Sequence, residues 1–243
     1  MIWLQQGDCL ELMKNIPDKS IDMILCDLPY GTTRNKWDTV IDLESLWGSY
    51  RRIVKDRGAI VLFAQTPFDK VLGNSNLKML RYEWIWEKHI PTGFLNAKKM
   101  PLKAHENILV FYKNLPVYNP QFTEGKPYIS RCSGHSSNYD KQKDNVIIIN
   151  DGYRYPRDIV KFKQDKEKLH PTQKPVELLE YLIKTYTNEN MLVLDNCMGS
   201  GSTGVACVNL KRNFIGIELE EEYFKIAEER INNARFNQQT GGD

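Results

Sequence analysis

No apolar run in this sequence approaches the roughly 18 to 20 residues that cross a bilayer, so no membrane-spanning segment is expected. The N-terminal stretch MIWLQQGDCL lacks the charged, apolar and small-residue order of a secretory signal, and a cytoplasmic location is expected. Cys9, Cys26, Cys132, Cys197 and Cys207 form no C-x-x-C pair, which argues against a zinc ribbon or a disulfide framework. Buried, reduced thiols are expected instead. His105, Glu106 and His170 have no third ligand at helical or turn spacing, so no metal site is expected. No lysine follows the glycine-rich turn at residues 199–204, which excludes a Walker phosphate loop. Internal repeats and low-complexity tracts are also absent.

What is present suffices for a packed interior, since 41% of the 243 residues are apolar. Seven apolar runs bounded by turn signals read as strands: residues 2–8, 21–27, 58–65, 82–88, 106–113, 191–197 and 213–219. Helical patterns lie between them in LESLWGSYRRIVKDRG, PVELLEYLIKTYT, TGVACVNLKRN and EEYFKIAEERINNARF, the first expected to close on Gly58. Strands alternating with helices predict an α/β fold whose sheet is covered on both faces. From about 114 to 168 this pattern fails, and Pro, Gly, Ser, Asn and charge dominate, with NVIII and RDIVKF as short candidate strands. That segment reads as an insertion into a domain built from 1–113 and 169–243. The formal net charge is only +2, but between Lys88 and Pro175 there are 16 Lys and Arg against 8 Asp and Glu. A basic middle within an acidic remainder suits a polyanionic partner.

In sheets of this kind ligands bind beyond the carboxyl ends of the strands, where the strand order switches. GSGSTG, from Gly199 to Gly204, matches G-x-G-x-x-G between a strand and a helix, with Glu218 about 20 residues on. A nicotinamide-dependent oxidoreductase is one reading. Asp195, four residues before Gly199, puts a carboxylate at the loop entrance, where a pyrophosphate is disfavoured. A nucleoside with a cationic side chain fits better. Glu218 can accept from both ribose hydroxyls, the glycines let the backbone approach, and Asp195 can face an amino group or a sulfonium. S-adenosylmethionine has those parts.

The strand 21–27 ends in Asp27-Leu28-Pro29-Tyr30. An exocyclic base amine has its lone pair delocalised into the ring, and acceptors that hold its N–H bonds favour a tetrahedral, nucleophilic nitrogen. The Asp27 carboxylate and the Leu28 carbonyl supply two such acceptors. Pro29 fixes φ and removes a donor, and Tyr30 offers a ring for stacking. A base inside a duplex must be flipped out to reach such a pocket.

Together DLPY and LDNCMGSGSTG resemble the signatures of the DNA N6-adenine and N4-cytosine methyltransferases. The order, with DLPY first, then a recognition region, then HPTQKPVELLEYLI and the glycine loop last, resembles the β-type arrangement. The resemblance covers roughly residues 1–113 and 169–235. It implies a Rossmann-like S-adenosylmethionine-dependent fold with permuted motif order and an inserted recognition segment. It also implies that Asp8 and Cys9 border the cofactor adenine, that Glu218 holds the ribose, and that His170 to Pro175, including Lys174, flank the methionine end. Asp195, Asn196, Cys197, Gly199, Ser200 and Gly201 complete the expected cofactor set. Two departures stand out: Leu28 replaces the family's usual first proline, and Asn196-Cys197 replace Pro-Phe. In that family an aspartate or asparagine at the first motif position usually goes with adenine and a serine with cytosine, so N6 of adenine is the expected target and N4 of cytosine the alternative. A catalytically dead DNA-binding module is a further alternative.

DNA contacts are expected from Lys98, Lys99 and Lys103, from Arg34 and Lys36 just after the catalytic turn, and from Arg154 and Arg157 in the Arg- and Tyr-rich stretch 153–162. With 55 residues in the insertion to read bases, a short site or a shared reading by a homodimer is expected. A cognate restriction endonuclease is the other partner that the resemblance raises.

Overall fold

The computed structural model describes residues 1–31, 39–132, 146–166, 169–170 and 172–240. In chain order the strands are β1 (Ile2–Gln6), β2 (Ile21–Asp27), β3 (Val54–Ala64), β4 (Leu80–Thr92), β5 (Lys103–Phe111), β6 (Thr123–Glu124), β7 (Tyr128–Cys132), β8 (Val146–Asn150), β9 (Tyr153–Arg154), β10 (Ile159–Phe162), β11 (Leu192–Asp195) and β12 (Asn213–Glu218). The helices are α1 (Cys9–Leu12), α2 (Leu43–Ile53), α3 (Phe68–Ser75), α4 (Val176–Tyr186), α5 (Ser202–Asn209) and α6 (Glu221–Thr240).

One sheet has the order β1-β12-β11-β2-β3-β5-β4-β10. All seven runs read from the sequence are in it, and β10 is the eighth strand, paired parallel to β4 from Ile159–Ile85 to Phe162–Lys88. Only β5 runs against its neighbours. The central strands are apolar throughout because both faces are covered. Met23 and Leu25 of β2 and Ala59, Val61 and Phe63 of β3 pack against α4, α5 and α6. The alternating Ile24, Cys26, Ile60, Leu62 and Ala64 pack against α1, α2 and α3.

The helices bury stripes at helical spacing: Leu46, Trp47, Tyr50 and Ile53 in α2, and Leu178, Leu179, Leu182, Ile183 and Tyr186 in α4. Asp42 caps α2 by accepting from Ser45 N at 2.8 Å. That helix does not reach Gly58. It stops at Ile53, Val54 opens β3, and Gly58 lies inside the strand. Between the pairs Ile21–Val54 and Met23–Ala59, β3 takes five steps to two in β2, and the resulting bulge ends at Gly58. A Cβ there would lie 2.5 Å from Val54 Cγ1 and 3.0 Å from Asp22 O.

A second compact unit covers Pro120–Arg157 and holds two small antiparallel pairs, β6 with β9 and β7 with β8. It is narrower than the expected insertion. Asp158 to Phe162 joins the main sheet through β10, and Asn119 N donates to Thr185 O at 2.8 Å beside the end of α4. Among the described residues no helix is long and apolar enough to cross a membrane.

Candidate active site

From β2 the chain passes to β3 on one side, and from β11 to β12 on the other, so the strand order switches between β11 and β2. A cleft of about 370 Å³ opens beyond their carboxyl ends. Asp27, the last residue of β2, stands in one half. Asp195, ending β11, and Glu218, ending β12, stand toward the other. Because β5 is antiparallel, its beginning lies at this same edge and brings in Glu106.

The Asp27 half is a chain of alternating charges. Tyr30 donates its hydroxyl to Asp27 Oδ1 at 2.5 Å, and the Lys174 ammonium donates to Asp27 Oδ2. Lys174 Nζ is also 3.3 Å from Glu106 Oε2, while Glu106 Oε1 pairs with Lys88 Nζ at 2.5 Å and accepts from Gln65 Nε2 at 2.9 Å. Burial raises the Asp27 pKa, the Lys174 charge opposes this in part, and Glu106 adds to it. Burial would lower the Lys174 pKa, but the carboxylates of Asp27 and Glu106 outweigh it and the ammonium is held charged. Glu106 lies below its ordinary value because the two lysines overcome its burial. The Tyr30 ring stacks on Phe68, centroids 5.2 Å apart at 29°. Leu28 is buried in the core.

The other half centres on Glu218. Its Oε2 accepts from Gly199 N at 2.8 Å and its Oε1 from Glu220 N at 2.9 Å, and burial raises its pKa. Gly199 has φ of +52°, which keeps the loop tight on the end of β12. His170 packs edge-on against Tyr223 at 4.2 Å between centroids, and burial lowers its pKa to about 4, so it is neutral near pH 7. Among the described residues, the two lysines that line the cleft, Lys88 and Lys174, sit at the Asp27 end, and the other end presents the Glu218 carboxylate with serine and threonine hydroxyls and apolar surface. A carboxylate acceptor there suits ribose hydroxyls and a cationic tail rather than a pyrophosphate.

The chain matches the DNA methylase family of N6/N4 type over residues 21–229. It belongs to that family. This methylase is 29% identical to the DNA adenine methyltransferase YhdJ of Escherichia coli (strain K12), over 93% of its own length and 81% of that protein. Its fold superposes on the M1.HpyAVI–SAM complex with a TM-score of 0.66 at 29% identity, covering 95% of this chain and 100% of that one. It superposes on the cytosine-N4-specific PvuII DNA methyltransferase with a TM-score of 0.71 over 99% and 93% of the two chains, at 16% identity, which shows a shared fold alone. It is a DNA methyltransferase, and the cofactor of its family is S-adenosylmethionine.

The residues expected from the methylase sequence divide into those the cleft gathers and those it does not. Asp27, Leu28, Pro29, Tyr30, Lys174, Asp195, Cys197, Gly199, Ser200 and Glu218 line it. Lys174, expected beside the methionine end, has its ammonium on Asp27 and Glu106. Asp195 is turned inward: Oδ1 accepts from Cys197 N at 3.1 Å and Oδ2 from Thr203 Oγ1 at 2.6 Å. Asn196 accepts from the buried Tyr50 hydroxyl at 2.6 Å. Gly201 serves packing, since a Cβ there would lie 2.9 Å from Ala227 Cβ of α6. Asp8 caps α1, accepting from Leu10 N and Glu11 N at 2.8 and 3.1 Å, and the Cys9 thiol is buried against Cys197. Lys98, Lys99 and Lys103 are exposed, as is Arg157. Arg154 lies over the Tyr128 ring at 4.7 Å and donates to Asn150 Oδ1 and Lys126 O, all within its own unit. Arg34 and Lys36 lie outside the described residues. Sequence reasoning missed Lys88, Gln65 and Phe68, and weighed Glu106 only as a metal ligand. Glu106 carried one usable signal, a lone acid opening an otherwise apolar strand.

Proposed function

We propose that this methylase transfers a methyl group to N6 of a flipped-out adenine in DNA. The observation that carries the proposal is the arrangement of Asp27, Tyr30, Lys174 and Glu106 in one half of a cleft whose other half presents Glu218 and the glycine loop. Glu218 would hold the ribose of S-adenosylmethionine, with Gly199, Ser200 and Tyr223 along its length. When bound, the cofactor supplies a methyl group on a sulfonium, whose carbon–sulfur bond breaks as the nitrogen–carbon bond forms.

The residues of the chain do the rest. Asp27 accepts one N–H of the amine, the Leu28 carbonyl accepts the other, and the nitrogen lone pair is freed from the ring. Tyr30, backed by Phe68, presents a ring face to the base. Lys174 lies between two carboxylates, so Glu106 can take over its ammonium when the amine claims Asp27. The surplus proton on the methylated nitrogen passes to Asp27, whose raised pKa suits a temporary acceptor. Base reading falls to the unit Pro120–Arg157, where Tyr153 and Tyr155 are exposed beside Phe122 and Arg157 is exposed. A DNA substrate makes the cytoplasm the working location.

Adenine is favoured over cytosine by the aspartate at position 27 and by the likeness to YhdJ. The test is incubation with methyl-labelled cofactor and mixed-sequence DNA, followed by hydrolysis to nucleosides. Label should appear in N6-methyldeoxyadenosine, and Asp27→Ala should abolish it while calorimetric cofactor affinity stays within about twofold, since Asp27 acts on the amine. Label confined to N4-methyldeoxycytidine would overturn the adenine assignment. Wild-type turnover by Asp27→Ala would overturn the mechanism.

A further inference from the structure

Between β4 and β5 the chain leaves the sheet edge and returns through a turn that the mechanism above does not use. It starts at Gly93, with φ of +93°, and continues in a single 3₁₀ turn, Phe94–Asn96. Four apolar side chains are exposed here: Ile90 near the end of β4 at 64%, and, past Gly93, Phe94 at 65%, Leu95 at 101% and Met100 at 51%. A single exposed leucine means little, but four in eleven residues form a patch. From His89 to His105 there is no Asp or Glu, and the exposed Lys98, Lys99 and Lys103 flank the tip. Thr92 lines the cleft that holds Asp27. Leu95 is three residues further, within about 11 Å of chain reach.

An apolar tip flanked along the chain by lysines and by no acid from residue 89 to 105 complements a partner with anionic walls and an apolar interior. Stacked bases behind phosphates have that chemistry, and the tip's closeness to the cleft favours them over other anionic surfaces. Extruding a base leaves its two neighbours unstacked and lets the base fall back, and an inserted apolar side chain counters both effects.

We propose that Leu95, supported by Phe94, enters the duplex where the target base has been extruded, while Lys98, Lys99 and Lys103 grip the flanking phosphates. This rests on the DNA methyltransferase reading above. Leu95 is a positioning residue: it touches neither the amine nor the cofactor.

The test uses the full chain and a duplex built around a position that the wild type is found to methylate. One duplex carries the normal partner base opposite the target, and a second carries an abasic site there, so the target is already unpaired. Leu95→Ala should lower kcat/KM at least about tenfold on the paired duplex and less than about threefold on the abasic one, because the missing wedge matters where extrusion is uphill. Phe94→Ala should follow the same pattern more mildly, and calorimetric cofactor affinity should not change in either variant. Equal losses on both duplexes, or no loss on either, would overturn the proposal. A wild type that methylates no DNA would remove the underlying reading, and the wedge with it. Normal wild-type activity with an indifferent Leu95→Ala would remove the wedge alone.

Discussion

Asp27 and Asp195 end adjacent strands, yet their carboxylates face different surroundings. Asp27 meets a lysine, whereas Asp195 meets a backbone amide, a threonine hydroxyl and the Cys26 thiol, and its burial raises its pKa to about 6. An unfolded aspartate titrates near 4, so the Asp195 contribution to stability is fully present below that pH and is lost as pH rises through 6. His170 runs the other way: its pKa is lowered to about 4, so its contribution is present above roughly 6.5 and is lost as pH falls toward 4. The two partly cancel in the wild type, and a variant separates them. Relative to wild type, Asp195→Asn should gain stability between pH 4 and pH 7, by up to about 3 kcal/mol. Urea unfolding of both proteins at a series of pH values measures this. A difference that stays flat with pH would show that folding does not raise the Asp195 pKa.

Among the elements, α5 shows how tightly the glycine loop is coupled to the fold. The loop leads straight into α5, and Gly204 in that helix lies under α6. A Cβ at position 204 would sit 2.3 Å from Ile231 Cδ1 and 2.8 Å from Phe214 Cε1, and Phe214 and Ile231 are fully buried. Gly204→Ala should therefore cost about 1 to 3 kcal/mol despite the better helix propensity of alanine, through overpacking. Chemical denaturation would show it as a lower midpoint at unchanged slope, and a stabilised variant would refute the packing account. The antiparallel β5 has a different consequence. A parallel strand in that place would begin at the far edge of the sheet, and Glu106 would be remote from Asp27.

At the scale of the whole molecule the decisive feature is the separation of charge along the chain. The segment Lys88 to Pro175 carries an excess of positive charge within a chain whose total is only +2. Binding of DNA should weaken linearly in log–log terms as salt rises, because each neutralised phosphate releases counterions. Replacing Lys98, Lys99 and Lys103 by Gln together should reduce that slope by about 2 to 3, at about 0.9 per lost phosphate contact. Fluorescence anisotropy with a labelled duplex from 50 to about 200 mM salt provides the slopes. A triple variant with the wild-type slope would mean that these lysines touch no phosphate.

Sequence by itself determined the features that rest on neighbours in the chain. Seven strands follow from apolar runs between turns, the placement of Asp27 and Glu218 from strand ends, and the glycine loop from a turn that needs φ above zero at Gly199. The DNA methylase family was legible for the same reason, since its two signatures are short and continuous. Tertiary structure decided everything that depends on which way a side chain turns or which distant strand lies alongside. Asn196 and Gly201 belong to the right turn, but packing against Tyr50 and Ala227 turns them to the fold, while Asp195 lines the cleft with its oxygens engaged by Cys197 N and Thr203. Lys174, Glu106 and Lys88 are scattered over 87 positions of sequence and become one ion-paired group only because β4, the reversed β5 and the entry to α4 bring them to the edge of the sheet where β2 ends in Asp27. Local pattern reports how a segment folds, whereas the energy that joins those three residues to Asp27 comes from burying charges that have no partner within their own segments.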